Sequence, residues 1–138
     1  MEEVNSGDII VITKLKSQGK TVGMHSFVVL SSENGTLCGI DYDFIALMMS
    51  SFKDADQKSR KLSYPGNFEI TSNDEKISDG HGLDGYIKAE QFYLFDENAI
   101  EYKTIGKLTA ETFETLLEFI KGFKDKGIEI ELISDNTK

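Results

Sequence analysis

Tryptophan is absent from this 138-residue chain, proline and cysteine occur once each, and histidine twice. A lone cysteine, Cys38, excludes an internal disulfide and fits a reducing compartment. Cys38, His25 and His81 lack metal-ligand spacing, so no metal and no other cofactor is expected. No apolar run is long enough to span a bilayer, and Met1-Glu2-Glu3-Val4-Asn5-Ser6 has neither a basic nor an apolar leader segment. The expectation is a cytoplasmic protein without membrane contact. Also missing are a Gly-x-Ser-x-Gly elbow and a phosphate loop, since the Gly-x-Gly pieces have no strand-to-helix context. Repeats, low-complexity tracts and linkers are lacking too, which leaves residues 1–138 as a single domain.

Basic charge is scarce as well: 15 Lys and Arg against 24 Asp and Glu give a net charge of −9. That balance argues against broad nonspecific binding to nucleic acid. The cations are clustered, however. Residues 9–32 hold Lys14, Lys16 and Lys20 and no acid, and residues 57–68 hold Lys58, Arg60 and Lys61 and no acid. These two windows carry +6 and the remaining residues −15. An acidic body with two basic islands suits a localised anion site, and chance clustering of solvated lysines accounts for it equally well.

The remaining composition, 39% hydrophobic and 10% aromatic, is that of a globular domain with a core. Short β-branched or aromatic runs predict strands over residues 7–15, 27–31, 37–41, 44–51, 68–71 and 86–95. Asn34-Gly35 reads as a hairpin turn. Residues 17–23, 52–66 (with at most a helical turn) and 73–85 read as loops, and Ile105 as part of a short connector. One helix is predicted over 110–124, with Thr109 as N-cap, Phe113, Leu116, Leu117, Ile120 and Phe123 as its apolar stripe, and Gly127 as its stop. Ile128-Glu129-Ile130-Glu131-Leu132 alternates and predicts a last strand, placed to cover an edge or to pair across a dimer. The fold class is mainly β (α+β): a curled antiparallel sheet with an amphipathic helix packed on it.

Within the 86–95 strand, alternation places Lys88, Glu90 and Phe92 on one face. A cation and a carboxylate so spaced can hold a phosphate and handle a proton. A solvated ion pair worth little is the plain alternative.

Gly7-Asp8-Ile9-Ile10, Gln18-Gly19 followed by Phe27-Val28-Val29-Leu30, the Ile45–Ser51 strand end, and Lys88-Ala89-Glu90-Gln91 with Asp96 form an ordered set. With the Leu-Thr start of the helix, this order resembles the MazF/PemK (Kid-like) toxins of toxin–antitoxin systems over about residues 6–123. The resemblance implies an SH3-like barrel, a homodimer, a cognate antitoxin, and metal-independent cleavage of single-stranded RNA by 2′-OH attack on the adjacent phosphate. It leaves the strand at about 128–133 as an addition.

On that resemblance His25 stands at the family's strand-entry Arg, and imidazole changes protonation near neutral pH. Ser50 or Ser51 stands at the strand-end hydroxyl, with Ser50 as the candidate. Lys88 replaces an Arg and Glu90 an Asp, keeping the charges but not the guanidinium fork. His25, Ser50, Lys88 and Glu90 form the implied catalytic set. Lys14, Lys16, Lys20, Ser51, Lys58, Arg60 and Lys61 are the implied RNA contacts. Gln91 points to the other face, Tyr93 replaces a further Arg, and His81 is a loop candidate for proton transfer. Two other functions share the barrel: a catalytically weak binding or regulatory module, and a gyrase inhibitor of the CcdB kind.

Overall fold

A computed structural model describes residues 4–17, 19–21, 23–77 and 84–137. His81 and Gln18 lie outside the described residues. The apolar runs of the N-terminal half become three adjacent strands, β1 (Asp8–Ile12), β4 (His25–Ser31) and β7 (Phe44–Ser51). Between the first two lies a small hairpin, β2 (Lys16–Ser17) and β3 (Lys20–Thr21). A second hairpin, β5 (Gly35–Leu37) and β6 (Ile40–Tyr42), separates β4 from β7. Its turn is Cys38-Gly39, both at positive φ (50° and 80°), and not the expected Asn34-Gly35. Two positive φ values in succession are what a tight hairpin turn requires.

After β7 the chain forms α1 (Ala55–Leu62), then β8 (Asn67–Ile70), β9 (Glu75–Ile77), β10 (Gly85–Lys88), β11 (Gln91–Phe95) and β12 (Tyr102–Leu108). It ends with α2 (Ala110–Lys121), α3 (Phe123–Lys126) and β13 (Glu131–Asn136). Several expectations are corrected here. Residues 52–66 hold a full helix, because Asp54 caps it by accepting from the Gln57 N–H at 2.7 Å while the Gln57 side chain accepts from the Lys53 N–H at 2.6 Å. The Ile105 segment is a strand, paired with both β1 and β9. The final strand starts at Glu131, three residues later than the alternation suggests.

The predicted 86–95 strand is two strands. Ala89 and Glu90 form a turn between β10, which pairs with β8 and β7, and β11, which pairs with β7 and β13. The two halves answer to different neighbours, so alternation does not carry from Lys88 to Glu90.

The sheet path β8–β10–β7–β4–β1–β12–β9 begins and ends on strands consecutive in the chain. Seven flat strands would hold their outer members about 29 Å apart at about 4.8 Å per step. Ile70 and Glu75 are five residues apart and reach at most about 18 Å. The sheet therefore curls strongly, into the barrel-like α+β form. β13 extends it on another side, pairing in parallel with β11 of the same chain and covering that edge.

Alternation along the central strands fills two cores. Ile10, Ile12, Phe27, Val29, Ala46, Met48, Tyr93 and Phe95 share one face. Ile9, Val28, Leu47, Ile70, Ile87 and Ala89 share the other, against Leu116 and Phe123 of the C-terminal helices. Phe119 joins this second core, edge-to-face with Phe68 and Phe123 at 5.2 Å each. Thr109 caps α2 as expected, but the helix predicted over 110–124 ends at Lys121 with Gly122 as its cap, and Gly127, at φ 72°, stops the short α3 instead. Among the described residues no helix is long and apolar enough to cross a membrane.

Candidate functional site

Strand register decides which side chains meet. Ser26 lies opposite Met49 and Phe27 opposite Met48, so the β4–β7 ladder, continued by one step, sets His25 across from Ser50. Ile12 is the partner of His25 on β1, and Tyr86 is the partner of Ser50 on β10. Glu69 on β8 faces Tyr86 in turn. The result is one row across five strands: Ile12, His25, Ser50, Tyr86, Glu69. Partners in an antiparallel ladder project to the same side with Cβ atoms about 5 Å apart. That side is the Phe27 face of the sheet, which at this end runs out from core to half-buried His25 and Ser50.

Lys88 shares this face, one diagonal step along β10 from the row. It alternates with Tyr86 on β10, is half-buried, and lies opposite Asn67. Among the described residues it makes no ion pair, so its ammonium is available to an anion. Ser51 pairs with Gly85, points to the opposite side and is exposed. Of the two serines, Ser50 is therefore the one brought to His25.

Glu90 is not part of the row. It sits in the turn beyond β10, where its carbonyl accepts from the Glu131 N–H at 2.8 Å. Its side chain lies over the backbone of buried Gly66: a Cβ built on Gly66 would come within 2.5 Å of the Glu90 carboxylate. No Lys88–Glu90 ion pair forms among the described residues. The expected same-face pair does not form, which leaves His25, Ser50 and Lys88 as a same-face triad in which only His25 and Ser50 are cross-strand neighbours.

Glycine also sets the geometry at Ser50 itself. A Cβ on Gly85 would stand 2.1 Å from the Ser50 carbonyl oxygen, so only glycine lets β10 come this close to β7 here. Beyond the strand end, the Phe52 ring stacks on Tyr86 at 5.4 Å. Lys58 of α1 lies over the other end of this unit, 5.9 Å from the Phe52 centroid and 3.3 Å from the Glu69 carboxylate. Tyr86, Glu69 and Phe52 were passed over in the sequence. The available signal was alternation with recognised neighbours: Tyr86 with Lys88, and Glu69 between apolar Phe68 and Ile70.

The basic residues flank this row. The β1–β4 connection starts at one end of the row and returns at His25, carrying Lys16 and Lys20 on the exposed hairpin. Buried Asn136 anchors the hairpin: its Oδ1 accepts from the Lys16 N–H at 2.9 Å and its Nδ2 donates to the Lys16 carbonyl at 3.0 Å. Lys14 is paired with Glu101 at 3.3 Å, both well exposed. Arg60 and Lys61 are in the last turn of α1, where the helix dipole favours cations, and make no ion pair among the described residues.

Two other residues prove structural. Tyr93 is buried against Phe27 at 4.9 Å, and burial, then Glu131 and Asp135, hold its phenol above the ordinary value of 10.0. It belongs to the core and takes no guanidinium-like role. Gln91 donates to Glu131 on β13 at 3.3 Å. Elsewhere Asp74 ties the β8–β9 turn to α2, accepting from the Thr71 N–H (2.7 Å) and from the Thr71 (3.2 Å) and Thr112 (2.8 Å) hydroxyls. Burial alone would raise its carboxyl, but these three donors outweigh it and hold the pKa below 3.8.

Among the described residues no group of three His, Cys, Asp or Glu is placed to hold a metal ion. What the triad can do is bind a phosphate through Lys88 and the Ser50 hydroxyl and exchange a proton through His25. No protein-family model matches this chain, and no curated protein matches it either.

Proposed function

We propose that the protein is a metal-independent endoribonuclease acting on single-stranded RNA, on an SH3-like barrel of the MazF/PemK kind. The observation that carries this reading is the β4–β7 register, whose continuation by one step puts His25 across from Ser50, with Lys88 on the same face. His25 takes the proton of a ribose 2′-OH as that oxygen attacks the adjacent phosphorus. The O2′–P bond forms, the P–O5′ bond breaks, and the 5′-oxygen leaves with a proton from solvent. Products are a 2′,3′-cyclic phosphate and a 5′-hydroxyl. Ser50 donates a hydrogen bond to a non-bridging oxygen, and the Lys88 ammonium balances charge on the phosphorane. Glu90, outside the row, has no direct part. The antitoxin and the homodimer belong to the same proposal, the hairpin and α1 being the basic surfaces that an acidic segment would meet.

The test is incubation of the purified, folded protein with single-stranded RNA in EDTA. Cleavage to a cyclic phosphate is expected, and none with an all-deoxy substrate. His25→Ala should lower kcat/KM by about 100-fold or more, and Ser50→Ala by about 100-fold. A folded sample that leaves RNA intact at every dose refutes the nuclease. The Tyr93 core position and a Lys88 that makes no ion pair among the described residues then favour the second reading, a binding or regulatory module. Growth arrest with DNA damage and intact RNA would point to gyrase inhibition instead.

A further inference from the structure

Lys58 belongs to a basic island, yet its charge is already engaged: Glu69 takes it at 3.3 Å while the Phe52 ring lies 5.9 Å beneath it. Both charged side chains are about half exposed, at 48% and 44%. A pair so placed is weak and readily exchanged. Its position is the notable part. Glu69 stands in the same cross-strand row as Ser50, two strands away, hence about 10 Å from it. Tyr86 lies between them, and the Tyr86–Phe52 stack ties Lys58 to that row.

We infer that Lys58 forms a second phosphate subsite, beside the His25–Ser50–Lys88 triad, and that Glu69 occupies it until a phosphodiester displaces the carboxylate. The inference rests on the RNA-binding reading of the triad. Glu69 acts as an intramolecular competitor. It neutralises Lys58 in the free protein and is set aside when a strand extends from Ser50 toward α1. The aromatic stack keeps the ammonium near the row throughout, since a cation over a ring face is held without a carboxylate. Arg60 and Lys61 have no such competitor among the described residues, which makes the Lys58–Glu69 pair a local setting of affinity.

The experiment is a double-mutant cycle on binding, read by fluorescence anisotropy of a labelled, 2′-O-methyl, uncleavable single-stranded oligonucleotide across a salt series. Lys58→Ala should reduce the slope of log affinity against log salt by about 0.7, one phosphate contact on a single strand. Between 1 M and 0.1 M salt that slope corresponds to about a five-fold loss of affinity. Glu69→Gln should tighten binding several-fold in the parent and have no effect in the Lys58→Ala background. Equal Glu69→Gln effects in both backgrounds mean general electrostatics and overturn the inference. So does an unchanged salt slope in Lys58→Ala, absence of binding by the parent, or coupling seen with polyglutamate but not with the oligonucleotide. RNA cleavage is scored separately. Coupling without cleavage removes the nuclease and leaves the subsite, whereas cleavage without coupling removes the subsite alone.

Discussion

Replacing Gly85 by alanine tests the geometry of the site more sharply than truncating any polar side chain. The added Cβ would lie 2.1 Å from the Ser50 carbonyl oxygen and 3.0 Å from the Ser50 carbonyl carbon and the Ser51 Cα. All three are backbone atoms that no rotamer change can move. An ordinary carbon–oxygen contact is about 3.3 Å, so β10 must retreat by about 1.2 Å from β7. The retreat weakens the pairing of Gly85 with Ser51 and of Tyr86 with Ser50. Losing two ladder hydrogen bonds at about 1 kcal/mol each, less about 0.5 kcal/mol from a stiffer unfolded chain, predicts about 1.5 kcal/mol of destabilisation. For a chain of this size that lowers Tm by about 5 °C. The shift also displaces Tyr86 and Lys88 relative to Ser50, and a misplacement near 1 Å costs about 100-fold in rate. Thermal unfolding and RNA cleavage are both measured, with Gly122→Ala as control, since its nearest atom is the Phe119 carbonyl oxygen at 3.5 Å. A Gly85→Ala protein within about 0.5 kcal/mol of the parent would mean the strands do not approach as described. Normal cleavage per folded molecule, despite lost stability, would refute the role given to the row.

Gly66→Ala would put a Cβ 2.5 Å from the Glu90 carboxylate and force it aside; a modest loss of about 1 kcal/mol with unchanged kcat/KM is expected, because Glu90 lies off the row. A kcat/KM loss matching that of Ser50→Ala would return Glu90 to the catalytic set. Asp74→Asn removes the charge and turns one of the two oxygens that accept three hydrogen bonds into an NH2 donor, and should cost about 1–2 kcal/mol at pH 7 in urea unfolding. Because the folded-state pKa lies below 3.8, this stabilisation is present above that value and is lost as pH falls through the folded pKa, so parent and mutant should converge in acid. A gap that persists unchanged at low pH contradicts the network. Asn136→Ala frees both backbone groups of Lys16; faster hydrogen exchange at the Lys16 amide and about 1 kcal/mol lower stability are expected, and unchanged exchange would show the hairpin to be anchored elsewhere.

How much of the site was legible depended on where the alternation rule had one set of neighbours to answer to. Along β4 and β7 it had. Phe27 and Val29 face one core and Val28 the other, Ala46 and Met48 share the first, and His25 and Ser50 follow by simple continuation. His25 and Ser50 were singled out only by the family resemblance, and β4 begins at His25, two residues before the predicted strand, whereas the strands themselves and the Thr109 cap could be drawn from local pattern. The Lys88–Glu90 pair could not, although the same rule was applied to it. Ala89 between them is buried in the second core, its N–H donating to the Gly66 carbonyl at 3.0 Å, and the next carbonyl already serves β13. Two partners from opposite directions in the sequence, one 23 residues upstream and one 41 downstream of their bonded residues, bend the chain where nothing local demands it. The helix at 55–62 escaped for a related reason. It buries no residue, so no apolar stripe announces it, and its stability rests on the Asp54 cap, Gln57 and the dipole-matched Arg60 and Lys61.

Under the proposed function, the same contrast divides the roles. Residues held by continuous strands, His25, Ser50 and Tyr86, keep a fixed separation set by the ladder, which is what proton transfer and phosphate orientation require. Residues on the rim, Lys16, Lys20, Lys58, Arg60 and Lys61, sit on a two-residue-strand hairpin and a surface helix, where position is looser and charge acts at a distance. Lys88 lies at the join, last residue of its strand and half-buried, with a fixed backbone and a flexible stem. A lysine here keeps the positive charge that the proposed phosphorane needs but not the bidentate fork of a guanidinium. On the proposed mechanism the row supplies a single imidazole, His25, so the leaving 5′-oxygen depends on solvent for its proton, and that is the sharper constraint on rate.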